Sequence, residues 1–254
     1  MIRKLRLNIL VIFCLLTSCG YNTELNRTAV GNGNKTLTEE KSDDEASLFR
    51  QERTHYGLDI SHYQGNLIRE LGSSNKLTFI ICKATQGLDY IDPDFHKNWK
   101  NIKEKGFIRG AYHFYMAIDD PVVQAEHFAE LINDIDDNDI SPIVDIEQSS
   151  LSKNTDKTKI QLDLLMFLDA LESKFSRKPL IYTNYTFAQE YLNNPELSEY
   201  KLWLAEYSGR GEPLIPEIWE KTGYKIWQKS NSHTIDSIET DFDVYIGSKQ
   251  GLVD

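Results

Sequence analysis

Residues 142–147 read Pro142-Ile143-Val144-Asp145-Ile146-Glu147, a β-branched apolar run that closes on two acids. At the two-residue period of a strand, Asp145 and Glu147 share one face, while Val144 and Ile146 pack behind it. Helical spacing of apolar residues flanks this strand on both sides, over Pro121 to Ile135 and Thr158 to Phe175, and occurs earlier over Asp94 to Lys105. Seven further runs have strand character: Tyr56 to Ser61, Leu77 to Thr85, Ile108 to Tyr115, Leu180 to Asn184, Leu202 to Tyr207, Tyr224 to Lys229 and Asp241 to Tyr245. Eight strands with helices between the early ones and short connections between the late ones predict the α/β class. The expected architecture is a modified β/α barrel with eight strands and fewer than eight helices. A doubly wound open sheet is the alternative, but no Gly-rich phosphate loop follows the first strand.

The N-terminal fifth has a different texture. Arg3, Lys4 and Arg6 precede the apolar run Ile9 to Leu16, too short for a membrane span but fitted to a secretory signal. It ends in Leu16-Thr17-Ser18-Cys19, which resembles a bacterial lipobox. The expected organisation is a lipoprotein signal peptide over 1–18, then lipidated Cys19 with a flexible polar tether over 19–54, and a folded domain over 55–254. Export and attachment to the cell envelope follow, at the outer membrane if the source is Gram-negative. Only Cys82 then remains in the mature body, so no internal disulfide forms, and its apolar neighbours favour packing over nucleophilic chemistry.

With 40% hydrophobic and 26% charged residues in 254, the chain has the composition of a globular domain with a sizeable core. Its net charge is −11 and no basic block lies outside the first six positions, which argues against nucleic acid as a partner. The six His are scattered and none pairs at metal-binding spacing, so no metal or other cofactor is expected.

Chemistry in such barrels gathers at the C-terminal ends of the strands. The ends here supply Asp59, Lys83, Tyr115, Asp145 with Glu147, Tyr182, Trp203, and Trp227 with Gln228, while Asp241 comes from the last strand. Four acids and one cation converging on one cleft point to shifted proton affinities rather than to structural ion pairs. Two adjacent carboxyls that differ in ionisation suit glycoside hydrolysis, which needs an acid for the leaving oxygen and a negative partner for the cationic centre.

The ordered motifs Gly57-Leu58-Asp59-Ile60-Ser61 with Gln64-Gly65, Phe79 to Gly87, Tyr90 to Phe95, Gly110 to Phe114, Pro142 to Glu147, Pro179 to Thr183, Leu202 to Ala205, Trp227-Gln228 and Thr240 to Tyr245 resemble the glycoside hydrolase family 25 lysozymes, the N-acetylmuramidases, over roughly residues 55 to 247. That resemblance implies cleavage of the β-1,4 bond between N-acetylmuramic acid and N-acetylglucosamine with net retention. Glu147 would be the general acid, Asp145 the partner of the substrate's 2-acetamido group, and Asp59 and Asp241 the remaining active-site aspartates. Whether an Asp or the acetamido group attacks the anomeric carbon stays open. Gln64, Lys83, Tyr115, Tyr182, Trp203, Trp227 and Gln228 are candidate substrate-binding residues, with Tyr63 also at a strand end. Peptidoglycan glycan strands are the expected partner, the membrane is engaged through the lipid on Cys19, and the chain is expected to be a monomer. Gln86 stands where the family usually has Glu, and Met116 to Asp120 replaces its usual Pro-containing turn, changes that bear on cleft shape. A non-catalytic, lipid-anchored glycan-binding barrel is the competing reading.

Overall fold

The structure is a computed structural model that describes residues 53–72, 76–153 and 155–254. The signal segment, Cys19 and the tether as far as residue 52 lie outside the described residues. Among the described residues, Thr54 is already in the first strand, and Arg53 accepts a backbone hydrogen bond from Gly247.

Among the described residues, nine strands and six α-helices follow in chain order: β1 (Thr54–Ile60), α1 (Leu67–Glu70), β2 (Leu77–Gln86), β3 (Tyr90–Ile91), α2 (Phe95–Glu104), β4 (Ile108–Phe114), α3 (Pro121–Leu131), β5 (Ile143–Asp145), α4 (Lys157–Phe175), β6 (Leu180–Asn184), α5 (Tyr185–Tyr191), β7 (Lys201–Ala205), β8 (Ile226–Ile235), β9 (Ile238–Ile246) and α6 (Lys249–Val253). The sheet runs β1-β9-β8-β7-β6-β5-β4-β2, and pairing of β1 with β2 closes it into an eight-stranded barrel. All pairings around the barrel are parallel except those of β9, which runs antiparallel to β8 and β1. The two-residue β3 is an addition to the expected set, laid antiparallel on the end of β2.

Alternation along each strand sorts side chains into two layers. Phe79, Ile81, Ile143, Leu180, Trp203 and Ile226 fill the barrel, whereas Ile80, Cys82, Val144, Ile146, Ile181, Leu202 and Leu204 pack outward among Phe95, Phe128, Leu164 and Phe167 of the helices. Gly57 faces the crowded interior: a Cβ there would sit 2.3 Å from the Phe79 ring, so only glycine fits. Helix starts are fixed by side-chain caps. Asp120 accepts from the Val122 and Val123 amides ahead of Pro121 at the head of α3, and Asp156 accepts from Lys159 at the head of α4.

Two irregularities shape the mouth of the barrel. The register between β2 and β4 slips between Lys83 and Thr85, leaving Ala84 as the extra residue of a bulge. Thr85 therefore stays on the outer side, bonded to buried His113 at 2.7 Å, while Lys83 and Gln86 both come to the mouth and meet at 2.7 Å. The second irregularity is the β8–β9 hairpin, which turns on Asp236 and Ser237, both at positive φ (48° and 70°). Because β9 returns antiparallel, its first half lies at the same end of the barrel as the C-termini of the other strands, and Asp241 pairs in register with Asp59.

Candidate active site

A cleft of about 290 Å³ opens at that end of the barrel, lined by Asp59, Ile60, Ser61, Tyr63, Gln64, Lys83, Tyr112, Phe114, Asp145, Glu147, Tyr182, Trp203 and Asp241. The four acids singled out from sequence thus share one cavity with Lys83. A larger hollow of about 550 Å³ between α3 and α4 carries three charged side chains, Glu126, Glu130 and Lys174, and no convergent acid cluster, so volume alone does not mark the site.

Asp145 is the last residue of β5 and is buried, 8% exposed, with one carboxylate oxygen, Oδ1, lacking any hydrogen-bond donor. Burial and the neighbouring charge of Glu147 hold its proton affinity well above that of an ordinary Asp, with Lys83 acting in the opposite direction. Glu147 lies just past the strand in extended conformation (φ −150°) at the start of a 3₁₀ turn, so the inward parity of Asp145 carries on to it. It is half-buried; Ser149 Oγ donates to its Oε1 at 2.5 Å, and its backbone N–H donates to Ser150 Oγ at 3.0 Å. One acid therefore stands at the floor and its partner at the rim.

On the opposite wall, Asp59 is 7% exposed and its Oδ2 accepts from Gln228 Nε2 at 2.7 Å. Burial, then the charges of Asp243 and Asp241, push its proton affinity well up. Gln228 also accepts from Tyr182 Oη at 2.8 Å and from Tyr207 Oη, so it knits β1, β6 and β8 together beneath the cleft. Lys83 is the cation of the site. Burial lowers its pKa while Asp145, Asp92 and Glu147 work to keep it charged, and it lies 4.9 Å over the Phe114 ring. Gln64 closes a capping box with Ser61 at the rim and donates from Nε2 to the Glu239 carbonyl at 3.3 Å. The loop that carries it is pinned by buried Asp92, which accepts from both the backbone and the ring of His62. Tyr63, 82% exposed beside it, lines the cleft with its ring tilted against that of His62 at 4.1 Å.

Two of the expected binding residues face away from the cleft. Tyr115 follows inward-facing Phe114 and so points outward; it is fully buried, edge-on to Phe167 at 5.5 Å in the helical layer. Trp227 lies between inward-facing Ile226 and Gln228, and its Nε1 donates to the Glu206 carbonyl at 2.8 Å outside the lumen. Strand-end position selected both residues, and side-chain parity removes them. Parity instead brings Tyr112 and Phe114 of β4 into the lining, and it turns Asp243, two residues beyond Asp241, into the closed lumen beneath the cleft. Gln228 faces inward but acts from below the cleft. Among the described residues, no group of three His, Cys, Asp or Glu side chains is arranged to hold a metal ion. Cys82 is free and buried, and burial pushes its thiol pKa up, as suits a packing role.

The raised proton affinity of Asp145 has a definite consequence for stability. Its folded form keeps a proton that the unfolded chain releases near pH 4, so ionisation costs the folded state progressively as pH rises above about 4. Asp145→Asn removes that cost. Thermal unfolding of both proteins at pH 4 and pH 8 is expected to show the variant gaining Tm relative to the parent at the higher pH; a gap that shrinks with pH would contradict the assigned ionisation.

The model of the Glycosyl hydrolases family 25 matches residues 58–238. The chain is 29% identical to the protein YegX of Escherichia coli K12 over 209 residues, which are 78% of this chain and 72% of that one. It is 29% identical to the autolytic lysozyme of Clostridium acetobutylicum over 188 residues, 74% of this chain and 54% of that one. Among solved structures, the muramidase from Trichobolus zukalii superposes with a TM-score of 0.67 at 28% identity, covering 78% of this chain and 98% of the other. With the family model spanning 58–238 of 254 residues and the barrel placing four acids in one cleft, the chain belongs to glycosyl hydrolase family 25.

Proposed function

We propose that this protein is an exported lysozyme, an N-acetylmuramidase, that hydrolyses the β-1,4 bond between N-acetylmuramic acid and N-acetylglucosamine in peptidoglycan with net retention. The observation that carries the reading is the pair Asp145 and Glu147, floor and rim of one cleft in a family 25 barrel. Relatives named lysozyme and muramidase support the substrate class.

In this mechanism Glu147 protonates the leaving glycosidic oxygen, since it stands at the rim where the bond is cut. Asp145 accepts the N–H of the 2-acetamido group, and that group's carbonyl oxygen attacks the anomeric carbon as the leaving sugar departs. The product is an oxazolinium intermediate on the substrate. Water, deprotonated by Glu147, then opens it from the face the leaving group vacated, which gives retention. Asp59 and Asp241 supply negative potential at the opposite wall for the cationic centre. Gln64, Lys83, Tyr182 and Trp203 bind the glycan, joined by Tyr63 at the rim, while Gln228 keeps Asp59 and Tyr182 in register.

The same proposal covers the N-terminus. The signal over 1–18 is removed and a lipid on Cys19 tethers a monomeric enzyme to the envelope, at the outer membrane in a Gram-negative source. Cys19→Ser is expected to abolish incorporation of a labelled fatty acid and to release the protein from membranes; unchanged labelling would rule the anchor out.

Glu147→Gln keeps shape and removes the transferable proton. Turbidity assays on purified peptidoglycan are expected to show a loss of about a hundredfold or more in rate with the fold intact by circular dichroism. A wild type that binds peptidoglycan but cuts none would leave the glycan-binding barrel as the function.

A further inference from the structure

Asp243 is a fully buried carboxyl that none of the steps above uses. It lies two residues beyond Asp241 on β9, so both face the lumen, and it is in register with Gly57 of β1 on one side and Gln228 of β8 on the other. Its Oδ1 accepts from Trp203 Nε1 at 2.8 Å. Its Oδ2 is sealed from solvent and has no donor. The side chain of Asp59 is within hydrogen-bonding reach of Asp243 and also of Asp241, and no cation is among the groups that act on the three acids. The groups facing this pair from the other walls are also acidic or phenolic, namely Asp145 of β5, Tyr112 of β4, Tyr182 of β6 and Tyr207 after β7. Lys83 answers to Asp145, Asp92 and Glu147 across the cleft. Two carboxyl groups in contact without a cation form a hydrogen bond only when one of them carries a proton, and two like charges buried together are otherwise excluded.

We infer that Asp243 is a positioning residue whose carboxyl shares a proton with Asp59 on the floor of the lumen, a carboxylic acid–carboxylate bond that fixes the Asp59 side chain under the reacting sugar. The proton satisfies the orphaned Oδ2 and lets Asp59 stay bonded to Gln228 without facing a second bare anion. Trp203 Nε1 holds the other end, so the chain Trp203–Asp243–Asp59–Gln228 crosses from β7 to β8 through β9 and β1. Burial raises the proton affinity of both acids, to about 8 for Asp243 against the opposing bonds from Trp203 and Asp59, so the alkaline limb of activity is the point at which the pair ionises fully and the two carboxylates repel.

The inference rests on the hydrolase reading for its kinetic consequence, and a test independent of turnover separates the two. In Asp243→Asn the amide keeps both bonds, accepting from Trp203 and donating to Asp59, but does not titrate; in Asp243→Leu both bonds are lost at similar volume. Measured on the full-length protein, Asp243→Asn is expected to keep kcat at neutral pH and to lose the alkaline decline near pH 8, whereas Asp243→Leu loses about tenfold or more in kcat with KM little changed. Carboxyl ¹³C NMR of aspartate-labelled protein supplies the independent readout: the wild type retains a protonated side-chain carboxyl at pH 7 that titrates near pH 8, and Asp243→Asn removes that titration. An unaltered set of carboxyl titrations in Asp243→Asn overturns the proposal even if the enzyme cuts nothing, as does an unaltered alkaline limb if it is active. Equal loss in the Asn and Leu variants also overturns it, because a purely steric role would not distinguish them by pH.

Discussion

Strand parity in a closed barrel is the constraint from which the site follows. A side chain on a barrel strand faces either the lumen or the helical layer, and the sequence cannot move it between them without a bulge or a break in the strand. Leu58, Val144, Leu202 and Leu204 face out and make the core; Asp59, Asp145, Trp203 and Asp243 face in. Placing acids on β1, β5 and β9 therefore forces them into one small volume, with Lys83 as the only cation lining it among the described residues. Lowered solvation and mutual repulsion raise the proton affinities of Asp59, Asp145, Asp241 and Asp243 together. The folded state tolerates this because the helices and the apolar outer layer supply the burial energy that the lumen gives up.

The closure of the barrel gives the acids their division of labour. β9 runs against its neighbours, so its early residues arrive at the same rim as the late residues of β1, and Asp241 sits opposite Asp59. Asp145 ends β5, whereas Glu147 lies two residues further on, extended at the start of a 3₁₀ turn. The result is a graded cleft, with Asp145 and Asp243 deep and Glu147 and Asp241 nearer water. The rim position leaves Glu147 open to a bound glycan, as a proton donor to a leaving oxygen must be.

Much of this was legible in the chain itself. Eight strands, their order with respect to the three long helices, and the convergence of Asp59, Asp145, Glu147, Asp241 and Lys83 all follow from period-two runs and the strand-end rule. Tyr115 and Trp227 satisfy that rule and still miss the cleft, because a strand end has two faces and the parity that turns Asp145 and Glu147 inward turns both of them out. The same parity in Asp241-Phe242-Asp243 turns Asp243 into the lumen beside Asp241. Other features leave little trace in sequence. The bulge at Ala84 depends on register against β4, and the β8–β9 hairpin turns on Asp236-Ser237 without the Asn-Gly or Asp-Gly pair that usually marks such a turn, so both strands are longer than their apolar pattern suggests.

Which glycosidic bond this cleft cuts is read from the products: purified peptidoglycan is digested with the full-length protein, the products are reduced and their ends are identified by mass spectrometry. Muropeptides that terminate in reduced muramic acid are expected. Products that terminate in reduced N-acetylglucosamine, or intact glycan after prolonged incubation, would contradict the proposed function.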